Sequence, residues 1–598
     1  MVVKPFNDFT GGLNLTQSTQ IGDNELTIAK NVFYNNAKQI QTRRGITTFW
    51  DSVGSKPFTS YFFYQRDDNL AKIAVANSGN DCYAFDGTNW SSIQANLMEF
   101  ETIPGIANNR TRWDYAVYKN VIYMGDGVNP YSSYDGTTYT QINLWTPTTC
   151  TFDNTTEYVN KVAHWLVTND ELFFTTSGTL PTEITAYQTY YVTKIDDDNF
   201  TISTTLGWTA LNLTDNGTGT NQFTKLWEPR LRYIQYLGDR VYWAGDDANP
   251  SSLYYTWAAP ADGTNINANV VVVGWDEQGR INWLSEFSQL VLSFKSIKVY
   301  AVDVVTPSVD TIDSQTGGFA DRTIHNVGNS LAYFNERGID TLSKRSGIDW
   351  ASAVESVPLS DNVRELIKEI DEVQYNSWTS YYIKEKNNYY FSFDTTNDNK
   401  PDTTLVYNSL TKWRTQYLFP ALYDYGLYIN SDNEYQHLFS SASGWQMYQF
   451  ETGFDDNGLP IEVEIQTKDF DFNDPAQSKI FSFVDVTGYK QEAGEIVIDV
   501  LVDSEPASTG TVTDSNINLD DPVWVIGVSW LGLEPLGVGN SDVDGMPMYK
   551  FTVRVPMYAR WSNIAINMSS SGVQRIVEKM RVDVNGEVVP VFNYWNIL

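Results

Sequence analysis

Ten residues, AFDGTNWSSI at 84–93, return 49 positions later as SYDGTTYTQI at 133–142. Each copy reads as strand, turn, strand. Asp86-Gly87 and Asp135-Gly136 mark the turns, glycine supplies the positive φ that a tight hairpin needs, and aromatic residues flank it. A further strand pair lies upstream of each copy, at 62–76 and 114–124. Short strands grouped in fours, in a period of about 50 residues, are the pattern of β-propeller blades.

Looser versions follow along the chain. Residues 233–245 (YIQYLGDRVYWAG) read as two strands around Gly238-Asp239, and 281–300 and 330–342 as further pairs, the latter turning at Glu336-Arg337-Gly338. YYFSF at 389–393 pairs with TLVY at 404–407, and HLFS at 437–440 turns at Gly444 into WQMYQF at 445–450. The expected fold is therefore all-β, a propeller of about six or seven blades. Composition agrees: 14% of the residues are aromatic, which suits half-buried pleated surfaces, and long runs at helical spacing are missing.

The repeat is interrupted at 148–227, which reads as a small all-β module inserted through a propeller loop, where insertions cost little. A short amphipathic helix is expected at 360–370, with Ser360 as its cap and Val363, Leu366, Ile367 and Ile370 on one face. It would pack across a sheet or dock a neighbouring subunit. Beyond about residue 455, alternating runs such as IEVEI at 461–465 and FTVRV at 551–555 predict a β-sandwich, completed by strands from the propeller or from a neighbour. The expected organisation is 1–50, leading into the first blade; 51–147, propeller; 148–227, inserted module; 228–455, propeller; 456–598, sandwich-like domain.

The formal charge is −33, from 40 Lys and Arg against 73 Asp and Glu. That argues against a conventional nucleic-acid grip, which needs cations to displace phosphate counterions. Acidic charge suits a conduit through which DNA must slide, and equally suits a large β protein that only has to stay soluble. Cys82 and Cys150 make no disulfide framework, the first residues lack the apolar region of a signal peptide, and no apolar run reaches the length of a membrane span.

No catalytic, cofactor or metal residue is singled out, and the chain is not expected to be an enzyme. Sialidase-type propellers carry an S-x-D-x-G-x-x-W pattern; here Asp86-Gly87 and Asp135-Gly136 are adjacent, so the spacing fails. Glycosidases need two carboxylates at a set separation, and with 73 acidic residues sequence supports no particular pair. His164, His325 and His437 are far apart, without metal-ligand spacing. The loop at 394–402 gathers Asp394, Asn397, Asp398 and Asp402, the oxygen ligands Ca²⁺ prefers, but Lys400 sits among them and the expected state is a solvated hairpin loop. The basic pairs Arg110 with Arg112, Arg230 with Arg232 and Lys344 with Arg345 are expected to pair with carboxylates within or between subunits.

Three further patterns carry a family resemblance. FTGGL at 9–13 is followed by IGDNEL at 21–26, AKNV at 29–32 and QIQTRRG at 39–45. KDFDF at 468–472 is followed by Asp474-Pro475 and Lys479, and TTSGTLPT begins at 175 within the inserted module. In this order they resemble the tail nozzle (tail tubular, or tail hub) proteins of short-tailed bacteriophages. The resemblance implies a structural virion protein, assembled in the host cytoplasm into a ring of six copies below the portal and adaptor rings. The ring would extend and close the DNA ejection channel, pass genomic DNA without reading its sequence, and help anchor tail fibres or a tail needle. The competing expectation is a tail-tip receptor protein that binds or cleaves host glycans, or another head–tail or fibre-anchoring component.

Overall fold

In the computed structural model the two Asp-Gly turns each join the last two strands of a four-stranded antiparallel meander. Gly87 and Gly136 take φ of +99° and +94°. The aspartate before each glycine caps the turn: Asp86 Oδ1 accepts from the Asn89 amide, and Asp135 Oδ1 from those of Thr137 and Thr138. The structure describes residues 2–590 except 98–111, 257–268, 345–353, 369–376, 513–548 and shorter breaks of one to six residues.

Numbered along the chain, blade one consists of Phe58–Gln65, Lys72–Ser78, Asp81–Phe85 and Trp90–Gln94. Blade two is Asp114–Tyr118, Val121–Gly125, Ser132–Tyr134 and Tyr139–Gln141. Blade three runs from Tyr233–Leu237 through Arg240–Ala244 and Ser252–Tyr255 to Val270–Val272. Blade four runs from Trp283–Phe287 through Leu290–Phe294 and Val299–Val302 to Val309–Asp313. These four belong to one compact unit, Val53–Ile324 with Arg345–Val354. Within it the first strands of blades two, three and four contact one another in succession, so the sheets stack face to face.

The other unit comprises Met1–Ser52, His325–Lys344 and Glu355–Leu598. Blade five runs from His325–Val327 through Ser330–Asn335 and Gly338–Lys344 to Val354–Pro358. Blade six is Thr379–Ile383, Asn388–Phe393, Thr403–Asn408 and Arg414–Leu418. Blade seven is Leu422–Ile429, Tyr435–Ser441 and Met447–Thr452, with its fourth strand, Gly45–Trp50, supplied from the N-terminal segment. Six of these sheets are self-contained and blade six continues into a larger one, a β-propeller strand plan at the expected count.

The insertion is a closed six-stranded barrel, in which Thr148–Asp153 and Asn221–Lys225 are neighbours, paired Thr148 to Phe223. Phe152, Leu172, Phe174, Tyr190, Phe200 and Phe223 fill it. The barrel therefore begins and ends at one place on its wall, the geometry that lets a module interrupt a loop.

The C-terminal region is sandwich-like and is completed from within the chain. Glu25–Lys30 lies between blade six's Arg414–Leu418 and Glu462–Thr467, and Ile564–Ser571, Ile496–Val502 and Glu505–Val512 extend that sheet to ten strands. In the second sheet Gln477–Lys490 lies between Tyr549–Trp561 and Arg575–Pro590, and the last of these also pairs with Val2–Phe6 and Ile40–Thr42. The N-terminal segment thus does more than lead into a blade.

The expected helix is shorter than its pattern. Asp361–Val363 is a 3-10 turn and Arg364–Lys368 a single α-helical turn, packed on Gly338–Lys344. Ser360 caps neither: its Oγ accepts the Ile339 amide at 2.8 Å, because a buried strand-end donor competes for it. Val363 and Ile367 are buried as expected, Leu366 is partly exposed, and Ile370 lies outside the described residues.

Arg43 ties the N-terminal segment to the rest of its unit. Its side chain is fully buried and all five of its N–H groups are used. Nε donates to Asn31 Oδ1 (2.8 Å), Nη1 to Asp456 Oδ1 (2.9 Å) and the Arg44 carbonyl (2.9 Å), and Nη2 to Asp456 Oδ2 (2.7 Å) and the Leu418 carbonyl (3.1 Å). The guanidinium also lies 4.8 Å from the Phe419 ring centroid. Beside it, a Cβ on Gly45 would meet the Asp455 carbonyl oxygen at 1.8 Å, so only glycine fits.

Truncating one partner of a buried charge pair typically costs ~3–5 kcal/mol. R43M should lower the unfolding free energy of the full chain by that order, read as a lowered urea midpoint, and R43K should recover little, since an ammonium cannot reproduce the fork. A midpoint unchanged in R43M would show the bond set to be dispensable. Replacing 148–225 by a short Gly-Ser bridge should leave the far-UV spectrum of the blades and a cooperative unfolding transition; complete loss of folding would show that the barrel is integral to them.

Candidate functional site

Blades two, three and four meet around a cluster of buried charge. Arg232, just before the first strand of blade three, pairs with Asp321 at 2.8 Å, and both side chains are only 6% exposed. Arg322 donates to the Trp113 carbonyl. Asp114, which opens the first strand of blade two, accepts the Ile234 amide at 2.8 Å and the Tyr115 amide at 3.0 Å. Through Asp114 one blade's carboxylate satisfies the backbone of the next.

A hexapeptide absent from the sequence reading brackets this cluster. GDGVNP at 125–130 recurs as GDDANP at 245–250, in each case beginning at or just past the end of the second strand of a blade. Asp126 accepts the amides of Val128 and Asn129 and the Asn129 side chain at 2.7–2.8 Å. Asp246 likewise accepts the Ala248 amide, the Asn249 side chain and the Tyr254 hydroxyl. The pair could have been found as a second internal repeat, displaced 120 residues and out of step with the 49-residue one because the barrel intervenes.

These carboxylates are placed to hold turns. Asp126, Arg232, Tyr233, Asp247 and Arg280 line a cavity of about 10 Å³, room for a single water and far too little for a sugar ring. Two grooves are larger. One, about 280 Å³, runs between the Asp-Gly turns and is lined by Arg66, Lys72, Asp86, Ser91, Asp135 and Thr137. Arg66 is held there by Asp68 at 2.7 and 2.9 Å and donates to the Asp135 carbonyl. The other, about 500 Å³, lies on the ten-stranded sheet beside Lys30, Glu462, Glu464 and Glu495, with Lys30 and Glu464 paired at 2.8 Å.

The residues considered from sequence do not converge. His164 lies in the barrel core and His325 in blade five; His437, beside Tyr381 and 3.9 Å from Glu385, is pushed below the usual histidine range by burial. Cys82 and Cys150 are free thiols in separate cores, and burial pushes both up. In the 394–402 loop, Asp394 accepts the Thr396 amide, Asp398 the Lys400 amide and Asp402 the Thr395 amide and hydroxyl; Asn397 lies outside the described residues. Among the described residues no group of three or more His, Cys, Asp or Glu could hold a metal ion. Of the basic pairs, Arg232 takes the expected carboxylate, Arg112 is buried, and Arg110, Arg230 and Arg345 lie outside the described residues.

What does converge is two of the three patterns that carry the family resemblance, the third lying in the inserted barrel. Residues 9–26 and 468–472 form one junction: Lys468 Nζ donates to the Ile21 carbonyl and to Asp23 Oδ1, both at 2.9 Å, and the Ser18 hydroxyl donates to Asp469. Leu26 pairs with Thr467 in the ten-stranded sheet, and the Trp413 indole of blade six donates to the Phe9 carbonyl at 2.8 Å.

No protein-family model matches this chain, and no curated protein does. Among solved structures it is similar to the Pan2 WD40 domain of Neurospora crassa, at 6% identity over 70% of this chain and 97% of that one, with a TM-score of 0.28. It is also similar to BBS1N, solved in complex with ARL6DN, at 10% identity over 68% and 97% of the two chains, with a TM-score of 0.24. Similarity to the endosialidase of phage phi92 covers 90% of this chain and 74% of that one, at 11% identity and a TM-score of 0.24.

The buried carboxylates set a pH dependence. Loss of solvation raises Asp114 from the ordinary 3.8 to about 7 and Asp126 to about 6. Between those values the folded state holds protons that the unfolded chain releases, so the stability they contribute is present below about pH 4 and is lost as pH rises through 6 and 7. The wild-type urea midpoint should therefore fall more between pH 5 and pH 8 than that of D114N, whose side chain cannot titrate and whose single amide oxygen keeps one of the two backbone donors. Parallel pH profiles would exclude Asp114 as a source of the dependence.

Proposed function

We propose that this chain is a non-catalytic structural protein of a short-tailed phage tail, a ring-forming nozzle that extends the DNA ejection channel below the portal and adaptor. The observation that carries the reading is the junction of 9–26 with 468–472. Two stretches far apart in sequence, which together resemble the nozzle family, are joined through Lys468 and the ten-stranded sheet. A resemblance resting on residues that hold an architecture together points to a building block.

Two further features favour it. The buried aspartates at the blade junctions accept from turn amides, and the cavity among them admits about one water. A formal charge of −33 would offer sliding DNA little cationic surface on which to stall. Heterologous contacts that close on rotation produce rings, and the family resemblance implies six copies.

Native mass spectrometry and electron microscopy of the purified full chain, alone and with the adaptor ring, test this directly. The expected result is a six-fold ring with an axial pore. A trimer that depolymerises host polysaccharide would overturn the proposal in favour of a receptor-cleaving tail-tip protein.

A further inference from the structure

The inserted barrel holds an indole out in solvent by a strained route. Between Tyr158–Asn160 and Glu171–Thr176 the chain alternates inward and outward: His164 and Leu166 are buried, whereas Val162, Trp165 and Val167 are 73%, 75% and 57% exposed. Ala163 and Trp165, on either side of His164, both have φ of +52°, a left-handed conformation that L-residues with a Cβ avoid. Sequences that need only a loop here could use glycine or asparagine.

The surrounding contacts maintain the conformation. The His164 ring packs edge-on to Phe200 at 5.0 Å, its Nδ1 accepts the Leu166 amide at 3.0 Å, and its Nε2 lies 3.3 Å from the Asn199 carbonyl. Nδ1 is therefore the acceptor and Nε2 carries the proton. The Ala163 amide donates to Asp198 Oδ1 at 2.9 Å, and the His164 amide to the Asp197 carbonyl at 3.0 Å. These bonds set the loop against the turn at 195–198, where Ile195 is 46% exposed. Four large apolar side chains are thus presented on two adjoining segments of one closed barrel.

The rim of this patch is acidic. Asp196, Asp197 and Asp198 follow Ile195, and Asp170 closes the loop. Asn199 holds the Asp196 carboxyl below the usual range and Lys194 does the same for Asp197, so both are ionised at neutral pH. Lys194 answers Asp197 at 2.8 Å and Lys225 answers Asp170 at 2.7 Å, which leaves Asp196 and Asp198 without a lysine or arginine counter-ion among the contacts they make here. An apolar centre dominated by tryptophan inside a charged rim is the composition of a protein-binding hot spot.

We propose that loop 161–170 of the inserted barrel is a docking surface for another protein, one whose contact segment presents apolar side chains flanked by lysine or arginine. The acidic rim favours such a partner over a second copy of this chain, whose formal charge is −33. The proposal does not depend on the ring reading and stands or falls separately from it.

The test uses the full chain and a fluorescein-labelled peptide of alternating leucine and lysine, followed by anisotropy at physiological salt. The wild type should bind it, W165A should bind at least ~10-fold more weakly while keeping the wild-type urea midpoint, and a leucine–glutamate peptide should not bind. H164A should weaken binding through loss of the loop's conformation while leaving all four apolar side chains in place. Equal binding to wild type and W165A would reduce the interaction to general attraction by an acidic surface and overturn the proposal. So would a W165A defect confined to oligosaccharide binding, or one seen only as reduced self-association in sedimentation velocity.

Discussion

The architecture of the second unit depends on one fully buried guanidinium. Arg43 lies between the last two strands of the N-terminal segment, and its five donors reach Asn31, Arg44, Leu418 and Asp456. Asn31 extends the same junction, accepting the Leu418 amide at 2.8 Å and donating to the Glu462 carbonyl at 2.6 Å. Blade six, the turn after blade seven and the first strand of the C-terminal region are thereby fixed to one short stretch of chain. Desolvating an arginine is expensive, and only a complete set of partners offsets it, so the junction tolerates one geometry.

That constraint explains why the N-terminal strands can be scattered over three sheets. Gly45–Trp50 completes blade seven, Glu25–Lys30 sits inside the ten-stranded sheet, and Val2–Phe6 and Ile40–Thr42 lie on Arg575–Pro590. Each pairing spans 386 residues (Lys30 with Gln416) or more and carries the entropy of closing a long loop, which the strand bonds alone repay poorly. Gathering several such closures around one bond set lets the first that forms lower the cost of the others.

Local pairing was legible in the sequence and distant pairing was not. The Asp-Gly turns, YIQYLGDRVYWAG and the 330–342 hairpin all announce themselves, because a turn residue and its flanking alternation are contiguous. The strand Glu25–Lys30 alternates no differently from one that pairs with its neighbour, so its place beside Glu462–Thr467 leaves no local mark. Ser360 looked like a helix cap because capping and bonding to a strand amide use the same hydroxyl. The exposed loop at 162–167 was hidden for another reason: VAHWLV is apolar almost throughout, so nothing in its letters marks Val162, Trp165 and Val167 as facing solvent, and the left-handed backbone at Ala163 and Trp165 is a property of the fold. The GGL and KDFDF patterns were visible, but their meeting through Lys468 is a property of the fold.

The drift of the later blades also acquires a physical account. At or just past the end of the second strand, several blades place a buried polar residue whose side chain bonds nearby backbone. Asp126 and Asp246 do so in blades two and three; in blade four the position is Lys295, with Nζ donating to the Gly274 carbonyl at 3.1 Å. Asn335 accepts the Arg337 amide in blade five, and Asp394 the Thr396 amide in blade six. The requirement at this position is that a buried backbone group be satisfied, which an acid, an amide or an amine can each meet from its own side. Residue identity is then free to change while the role is kept. A repeat defined by hydrogen bonding can therefore persist in the structure after its letters have diverged in the sequence.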